Sequence, residues 1–372
     1  MPALVKVVYF TFRGLFADNP RAVYEGLLAR GDGDFSHTWL CTPKTQGTFP
    51  AGVETILYGT PEAAAALAAA DVVVANDCMS MDWTKSPGTT YLQTWHGTPL
   101  KRIHHDAPVR PGWLDKPDRD VARWDMLLSP NPVSTERLRH AFRFGGAVHE
   151  TGYPRNDVMS RPDRDDVRAR VRAELGIPHG TTAVLYAPTW RDDLVFDSTG
   201  GRDFEVPIDL ADFTRRLGRD HVLLTRLHSM VAGRLAIPPG APVVDVSDRA
   251  ESAELYLAAD MLVTDYSSAM FDFAVTGKPM VFYTYDLEHY RDDVRGFYFD
   301  LAEVAPGPLV RTSSELVEAI ADSNVAASEL ADRYARFRDT FCSLEDGHAT
   351  DRVLDLLFPP GDSAERSTME RG

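Results

Sequence analysis

The chain has 372 residues, of which 44% are hydrophobic and 25% are charged, and this length and composition are typical of a globular protein with two domains. Its formal net charge of -16 argues against general nucleic-acid binding, which needs a basic surface. The three cysteines, Cys41, Cys78 and Cys342, form no CxxC pair and so indicate neither a disulfide framework nor a thiolate zinc site.

The first residues lack the plan of a signal peptide and lead directly into a strand-like run at 7–10. No apolar run approaches the roughly 20 residues that a transmembrane helix needs. The longest run, 63–75, is interrupted by Asp71 and predicts an alanine-rich helix followed by a strand at 72–75. Together with the cysteine usage, these features predict a cytoplasmic protein.

Strand-like and helical patterns then alternate along the chain. Asn19 and Pro20 predict the N-cap and the first residue of a helix after the strand 7–10. A charged helix at 163–175 follows a predicted domain boundary near Pro162. Further short apolar runs are typical of buried strands and lie at 92–95, 126–128, 184–186, 222–225, 261–264 and 280–283. Such alternation favours an α/β fold of parallel sheets covered by helices on both faces.

We accordingly predict two doubly wound domains that face each other across a cleft, at residues 1–160 and 161–342. A C-terminal helix at 343–358 and a disordered tail at 359–372 complete the chain. Ligands of such sheets bind outside the carboxyl ends of the strands. Polar residues that directly follow a predicted strand are therefore the candidate site residues.

The first candidate is a histidine in a tight loop. A strand predicted to end at Trp95 leads into this loop, which Gly97 and Pro99 impose. His96 would then lie at the carboxyl end of the strand, where histidine can accept a proton near neutral pH. Lys101 beyond the loop could hold an anionic acceptor. A loop histidine with a purely structural hydrogen bond is the alternative.

Two arginine-containing segments follow other predicted strands. In the first, at 187–192 and containing Thr189, Trp190 offers a ring face and Arg191 a charged fork, suited to a base or a phosphate. In the second, Arg226 and His228 lie two residues apart on an extended strand end, so they point the same way and suit a pyrophosphate. The alternative for the first segment is a tryptophan that fills a gap in the packing beside a solvated arginine. The alternative for the second is a salt bridge at the rim of the site.

A helix start follows the strand at 261–264. Asp265 precedes Ser267, a good N-cap, and the helix is predicted to begin near Ser268. Helix N-termini bind phosphate through their free N–H groups and their positive dipole end, although plain capping is the alternative. Arg295 lies in a later loop whose chemistry the residue types do not reveal.

Several site classes are excluded or disfavoured. The sequence has no GxxxxGK[ST] loop, no GxSxG elbow and no HExxH pair. His104, His105 and Asp106 could ligate a metal, but adjacent histidines are expected to point apart. We therefore predict neither a metal site nor a cofactor.

Taken together and in this order, these segments resemble the CDP-glycerol glycerophosphotransferase family, the teichoic-acid primases and polymerases. The matching segments cover nearly the whole chain, at 18–20, 94–101, 152–157, 185–192, 226–228, 264–272, 278–279, 285–287, 290, 295–298, 306–308 and 346–347. The chain departs from the family pattern at His104, where a glycine is usual, and at Ser229, where a proline is frequent.

The resemblance implies a GT-B fold and peripheral action at the inner face of the cell membrane. It implies that His96 is the catalytic base, and that His228 and the serines at 267–268 hold the CDP-polyol. Under this interpretation the remaining candidates are expected to bind substrate, namely Gly97, Lys101, Thr189, Trp190, Arg191, Arg226, Asp265 and Arg295.

The expected reaction moves glycerol phosphate from CDP-glycerol to an acceptor hydroxyl and releases CMP, in the synthesis of a teichoic-acid or capsule-like polymer. A lipid-linked or polymeric acceptor would bind residues 1–160, and the CDP-polyol would bind residues 161–342. Three alternatives stay open: a CDP-ribitol phosphotransferase, a GT-B glycosyltransferase that uses a nucleotide sugar, and a non-catalytic scaffold that binds a nucleotide or a polymer.

Overall fold

In the computed structural model, the described residues are 4–31, 34–108, 110–189, 191, 207–227, 237–323 and 329–359. Within them the chain divides into two compact units. The first draws on Met1–Thr98, His104–Asp157 and Leu344–Gly372, and the second on Pro99–Ile103 and Val158–Ser343. The described part of the chain contains no helix that is both long and apolar enough to span a membrane.

The first unit is built on a seven-stranded parallel sheet. Its strands are β1 (Val5–Phe10), β2 (Phe35–Cys41), β3 (Glu54–Leu57), β4 (Val72–Ala75), β5 (Thr90–Gln93), β6 (Met126–Ser129) and β7 (Ala147–Glu150), in the order β3-β2-β1-β4-β5-β6-β7. The helices between them are α1 (Asp18–Arg30), α2 (Pro61–Ala68), α3 (Asp115–Val121) and α4 (Pro132–Phe142). Tyr9 of β1 pairs with Trp39 of β2 and stacks on its ring at 4.7 Å, at the centre of the core.

The second unit contains a six-stranded parallel sheet. Its strands are β8 (Thr182–Tyr186), β9 (His221–Thr225), β10 (Val243–Asp245), β11 (Met261–Thr264), β12 (Met280–Tyr283) and β13 (Leu309–Val310), in the order β10-β9-β8-β11-β12-β13. The accompanying helices are α5 (Arg164–Glu174), α6 (Leu210–Leu217), α7 (Ser252–Ala258), α8 (Ala269–Ala274), α9 (Leu287–His289), α10 (Leu301–Val304), α11 (Ser313–Ala321) and α12 (Ala331–Phe341). The α/β class with two parallel sheets, predicted from the alternating pattern, is confirmed.

The chain returns to the first unit at its C-terminal end. The helix predicted at 343–358 is observed as α13 (Ala349–Leu357), and its residues Val353 and Leu354 join the core of the first unit. Gly26 makes the close packing of α1 on α13 possible, because a Cβ at this position would lie 2.5 Å from Thr350 Cγ2. Of the tail predicted to be disordered, residues 360–372 lie outside the described residues.

Candidate active site

His96 lies in a loop beyond the carboxyl end of β5. The predicted strand end at Trp95 is wrong, because β5 ends at Gln93 and Trp95 adopts a left-handed backbone with a φ of 53°. This conformation costs of order 1–3 kcal/mol in a residue other than glycine and persists only where the surroundings impose it. Part of that constraint comes from Gln93 Oε1, which accepts a hydrogen bond from the Trp95 backbone nitrogen at 2.9 Å.

The imidazole of His96 is oriented through its Nδ1 atom, which lies 2.5 Å from the backbone oxygen of Asn76. A carbonyl oxygen can only accept a hydrogen bond, so Nδ1 carries the proton and Nε2 keeps its lone pair. The rings of Trp95 and Phe12 lie beside the imidazole, at centroid distances of 4.1 and 6.3 Å. Burial raises the pKa of the neighbouring Asp77 carboxyl. Nε2 is therefore the atom available to accept a proton.

Asn19 holds this loop instead of capping α1. The helix begins at Asp18, two residues before the predicted first residue Pro20, and the Asn19 side chain is fully buried. Its Nδ2 donates to the backbone oxygen of Trp95 at 3.1 Å, while its Oδ1 accepts from the backbone nitrogen of Arg155 at 3.1 Å. One amide side chain thus ties the His96 loop to the segment that follows β7.

Arg155 and Tyr153 fix the peptide group between His96 and Gly97. The guanidinium of Arg155 donates to the backbone oxygen of His96 at 3.0 Å and to Asp18 Oδ2 at 2.9 Å. It also lies over the Tyr153 ring, 4.7 Å from the centroid. The Tyr153 hydroxyl accepts a hydrogen bond from the backbone nitrogen of Gly97 at 3.2 Å. Gly97, predicted to bind substrate, is thus held in place by a buried tyrosine.

Sequence reasoning missed the function of these supporting residues. Asn19, Tyr153 and Arg155 belong to segments that carried the family resemblance, at 18–20 and 152–157, but no role followed from their residue types. Asn76 acts through its main-chain oxygen, which no residue type reveals. The ordered spacing of the family motifs was the one signal that could have directed attention to three of these four positions.

Lys101 pairs with the segment that directly follows Arg295, within the second unit. The backbone of Lys101 forms an antiparallel bridge with Phe297, and the Arg102 nitrogen donates to the Gly296 oxygen at 3.0 Å. The structure therefore places Lys101 with the segment that follows Arg295 and not with the remainder of residues 1–160. The sequence pattern could not reveal this pairing, because the two segments are almost 200 positions apart.

Arg191 is the centre of a buried network. Its Nε and Nη2 atoms donate to the two carboxylate oxygens of Asp286 at 2.7 and 2.9 Å, and its Nη1 lies 2.8 Å from Asp265 Oδ2. Burial opposes its charge, but the carboxylates of Asp265 and Asp286 raise the pKa of Arg191 above its ordinary value. The backbone nitrogen of Thr189 donates to Asp265 Oδ1 at 2.7 Å. The Arg191 guanidinium, which the sequence predicted to bind a ligand, thus pairs with two carboxylates of the protein itself.

Arg226 has a different environment. It follows β9, and its backbone nitrogen donates to the Tyr186 oxygen of β8 at 2.8 Å. The guanidinium is half-buried and donates to the backbone oxygens of Arg249 and Ala250 at 3.3 and 3.4 Å. Among the described residues no carboxylate forms an ion pair with Arg226, and its buried Nε has no hydrogen-bond partner. The salt bridge that served as the alternative interpretation is therefore absent from the described part of the chain.

The serines lie at the start of α8. This helix begins at Ala269, with Ser268 as its N-cap residue, and the side chain of Ser268 forms no capping bond. The predicted N-cap, Ser267, lies one residue before the observed one, and its hydroxyl accepts a hydrogen bond from the Ala269 nitrogen at 3.3 Å. His228 and Trp190, predicted as phosphate and ring contacts, lie outside the described residues.

The second sheet brings these candidates to one edge. The strands β9, β8 and β11 are direct neighbours, and all of them run parallel. Arg226 follows β9, Thr189 follows β8, and Asp265 follows β11. Since the carboxyl ends of parallel strands meet at the same edge, these three segments lie at one edge of the sheet. This edge carries cationic and hydroxyl groups suited to a phosphate.

The chain matches the sequence profile of the family described as CDP-glycerol:poly(glycerophosphate) glycerophosphotransferase over residues 4–359. It is 38% identical to the teichoic acid glycerol-phosphate transferase of Staphylococcus aureus, over 95% of this chain and 92% of that protein. It is also 37% identical to the teichoic acid poly(glycerol phosphate) polymerase of Bacillus subtilis, over 96% of this chain. The chain spans only about half of that polymerase, 49% of its length.

The fold is similar to that of a solved structure, the wall teichoic acid polymerase TagF. The TM-score is 0.86 at 33% sequence identity, and the match covers 97% of this chain and 90% of the TagF chain. A variant of TagF has also been solved after soaking with CDPG. The resemblance inferred from the ordered motifs is thereby confirmed.

Proposed function

The chain belongs to the CDP-glycerol:poly(glycerophosphate) glycerophosphotransferase family, and we propose that it transfers glycerol phosphate from CDP-glycerol to an acceptor hydroxyl in teichoic-acid synthesis. The acceptor oxygen attacks the β-phosphorus and forms a new P–O bond. The bond between this phosphorus and the oxygen that bridges the two phosphates breaks, and CMP leaves with the bonding electrons. The chemistry depends on positioning and on charge neutralisation, as in other phosphoryl transfers.

The observation that supports this proposal most strongly is the fixed tautomer of His96. Its Nδ1 proton is directed at the Asn76 carbonyl, so Nε2 can take the proton of the acceptor hydroxyl during attack. The hydrogen bonds that hold the main chain of His96 and Gly97 keep the imidazole in this orientation. A preset base avoids the cost of orienting the imidazole at the moment of reaction.

We assign donor binding to the second unit, at the edge formed by β9, β8 and β11. Arg226 offers a guanidinium that no described carboxylate neutralises, and the serines at 267–268 offer hydroxyl groups at a helix start. The buried Arg191 would act indirectly, by holding Asp265 and the loop after β8 in place. His228 is the second proposed catalytic or phosphate-binding residue.

The proposal is tested by CMP release from CDP-glycerol in the presence of a short glycerol-phosphate acceptor. We expect turnover with CDP-glycerol and slower turnover with CDP-ribitol. In thermal denaturation CDP should raise the melting temperature more than UDP does, because only a ligand of the native state stabilises it. Release of a nucleoside diphosphate from a nucleotide sugar would favour the glycosyltransferase instead, and binding without turnover would favour a scaffold.

We further propose that the protein acts at the inner face of the cell membrane on a lipid-linked acceptor. Arg139 and Arg143 lie at the C-terminal end of α4, whereas Leu138 and Phe142 of the same helix are buried in the first unit. Contact with lipid would therefore depend on the arginines and not on apolar insertion. Flotation with anionic liposomes should weaken when Arg139 and Arg143 are replaced by glutamine, and unchanged flotation would exclude this surface.

A further inference from the structure

A cluster of metal-ligating side chains lies in the first unit, apart from the His96 loop. One nitrogen of His104, one of His105 and a carboxylate oxygen of Asp118 all lie within 4.8 Å of one another. His105 Nε2 is 2.8 Å from Asp118 Oδ1, and His104 Nδ1 is 3.8 Å from the same oxygen. The expectation that the adjacent histidines point apart is wrong, because their ring centroids are only 4.9 Å apart.

The backbone at His104 explains why both imidazoles reach Asp118. His104 has a φ of 48°, in the left-handed region that glycine adopts without strain. This chain therefore places a histidine where the backbone favours a glycine. Histidine tolerates this region better than most residues do, but the conformation still has a cost that the surroundings must offset.

The His104 side chain is poorly satisfied by the protein alone. It is only 7% exposed, and its Nδ1 lies 3.2 Å from the backbone oxygen of Ala141. Its buried Nε2 has no hydrogen-bond partner among the described residues. Buried polar atoms are nearly always paired in native proteins, so the protein alone leaves the His104 imidazole incompletely satisfied. The nitrogen shown near Asp118 is Nδ1, at 3.8 Å, and this atom would exchange its contact with the Ala141 oxygen for a metal ion.

The cluster is also reachable. His105 and Asp118 line a cavity of about 370 Å³, together with Trp124, Phe142 and Arg143. Asp118 is 43% exposed, so its carboxylate can meet an ion that enters from solvent. Two imidazoles and one carboxylate form a donor set typical of zinc and of neighbouring first-row metals, with room for water at a fourth position.

We propose that His104, His105 and Asp118 bind a divalent first-row transition-metal ion, Zn²⁺ being the best match. The ion would join the turn at His104–Asp106 to α3, which carries Asp118, and would offset the strained backbone of His104. Ligands of a tetrahedral zinc ion lie at about 2.0–2.2 Å from the metal. The observed separations of 2.8 and 3.8 Å therefore require only small side-chain shifts on binding.

The test is metal binding to the full-length, tag-free protein after treatment with a chelator. Titration with Zn²⁺ by calorimetry should show one equivalent bound, and Co²⁺ should give the intense absorption of a tetrahedral site. His104→Gly and Asp118→Asn should each bind at least about tenfold more weakly, since loss even of an outer-shell partner typically costs ~10–100-fold. His104→Gly also relieves the positive φ, so this variant is expected to fold.

His348→Gln is the matched control, because His348 is exposed and pairs with Asp351 away from the cluster. It should bind Zn²⁺ like the wild type. Circular dichroism verifies that each variant is folded. The proposal is overturned if the wild type binds no stoichiometric Zn²⁺ or Co²⁺, or if both cluster variants bind as well as the control does. Either result would leave His105 and Asp118 as an ordinary hydrogen-bonded pair.

Discussion

Replacing Asn19 by alanine should distinguish the contribution of Asn19 to the position of His96 from its contribution to the stability of the fold. The change removes the side-chain acceptor of the Arg155 N–H, whereas the Trp95 carbonyl keeps a hydrogen bond from Thr94 Oγ1 at 3.0 Å. One unsatisfied buried group costs about 1–3 kcal/mol and the second lost hydrogen bond about 0.5–1.5 kcal/mol, which predicts a loss of roughly 1.5–4.5 kcal/mol. We expect the lower half of this range, about 1.5–3 kcal/mol, because water can enter the space that the amide vacates.

The catalytic effect should exceed what unfolding explains. Trp95 is held in a left-handed conformation, and losing one constraint allows the His96 loop to relax. A misplacement of about 1 Å can cost ~10²-fold in rate, so we expect kcat to fall about 10- to 100-fold. The KM for CDP-glycerol should stay nearly constant, because we assign donor binding to the second unit.

Thr60→Ala is the matched control, since Thr60 also makes two hydrogen bonds in the first unit. It accepts from the Ala63 nitrogen at 3.2 Å and donates to the Leu57 oxygen at 2.9 Å, as the N-cap of α2. Its loss should cost about 1 kcal/mol without changing kcat. CMP release is measured well below the unfolding transition of each variant. The reasoning is refuted if Asn19→Ala keeps the kcat of Thr60→Ala, or if its unfolding free energy equals that of the wild type.

Three further predictions concern stability and donor binding. Burial lowers the pKa of His37 from 6.5, and its Nδ1 lies 2.9 Å from the Tyr9 hydroxyl. The wild type should therefore lose stability as the pH falls below 6.5 toward the pKa of His37 in the folded state. His37→Gln should lack this loss, and equal pH slopes of the two proteins in urea denaturation would contradict the prediction. Asp286→Ala leaves the buried Arg191 with one carboxylate partner fewer and should cost about 3–5 kcal/mol in the same assay, whereas a change below about 1 kcal/mol would exclude a structural role. Arg226→Ala should weaken CDP binding about tenfold or more in calorimetry, since a charge-assisted hydrogen bond contributes roughly 1.5–3 kcal/mol, and unchanged affinity would remove Arg226 from the site.

The sheets could be predicted from sequence because parallel strands depend on local patterns. Short runs such as 184–186 and 261–264 are apolar on both faces, and both are fully buried in neighbouring strands. The same patterns placed Thr189, Arg226 and Asp265 at strand ends, where they converge at one edge. The local sequence is enough to locate these strand ends, because a parallel sheet brings the carboxyl ends of its strands to the same edge.

The details of the candidate site depend on contacts that are distant in sequence. Asn19 has the residue type of a helix cap, but its side chain meets the Trp95 carbonyl 76 positions away. Arg191 is of a residue type that often binds ligands, but its guanidinium donates hydrogen bonds to Asp286, 95 positions away. His104 and its neighbour were expected to point apart, and a left-handed φ overrides that rule. In each case tertiary partners decide which of several local roles a residue takes.

The central claim, that Nε2 of His96 accepts the acceptor proton, is tested most directly by CMP release from His96→Ala. A positioned base contributes typically ~10²–10⁴-fold, so the variant should lose at least about a hundredfold in kcat at saturating acceptor. Its affinity for CDP should match that of the wild type, and His348→Gln should keep full activity as a histidine control. Near-normal turnover of His96→Ala with intact CDP binding would contradict the account, and His228 would then become the candidate base.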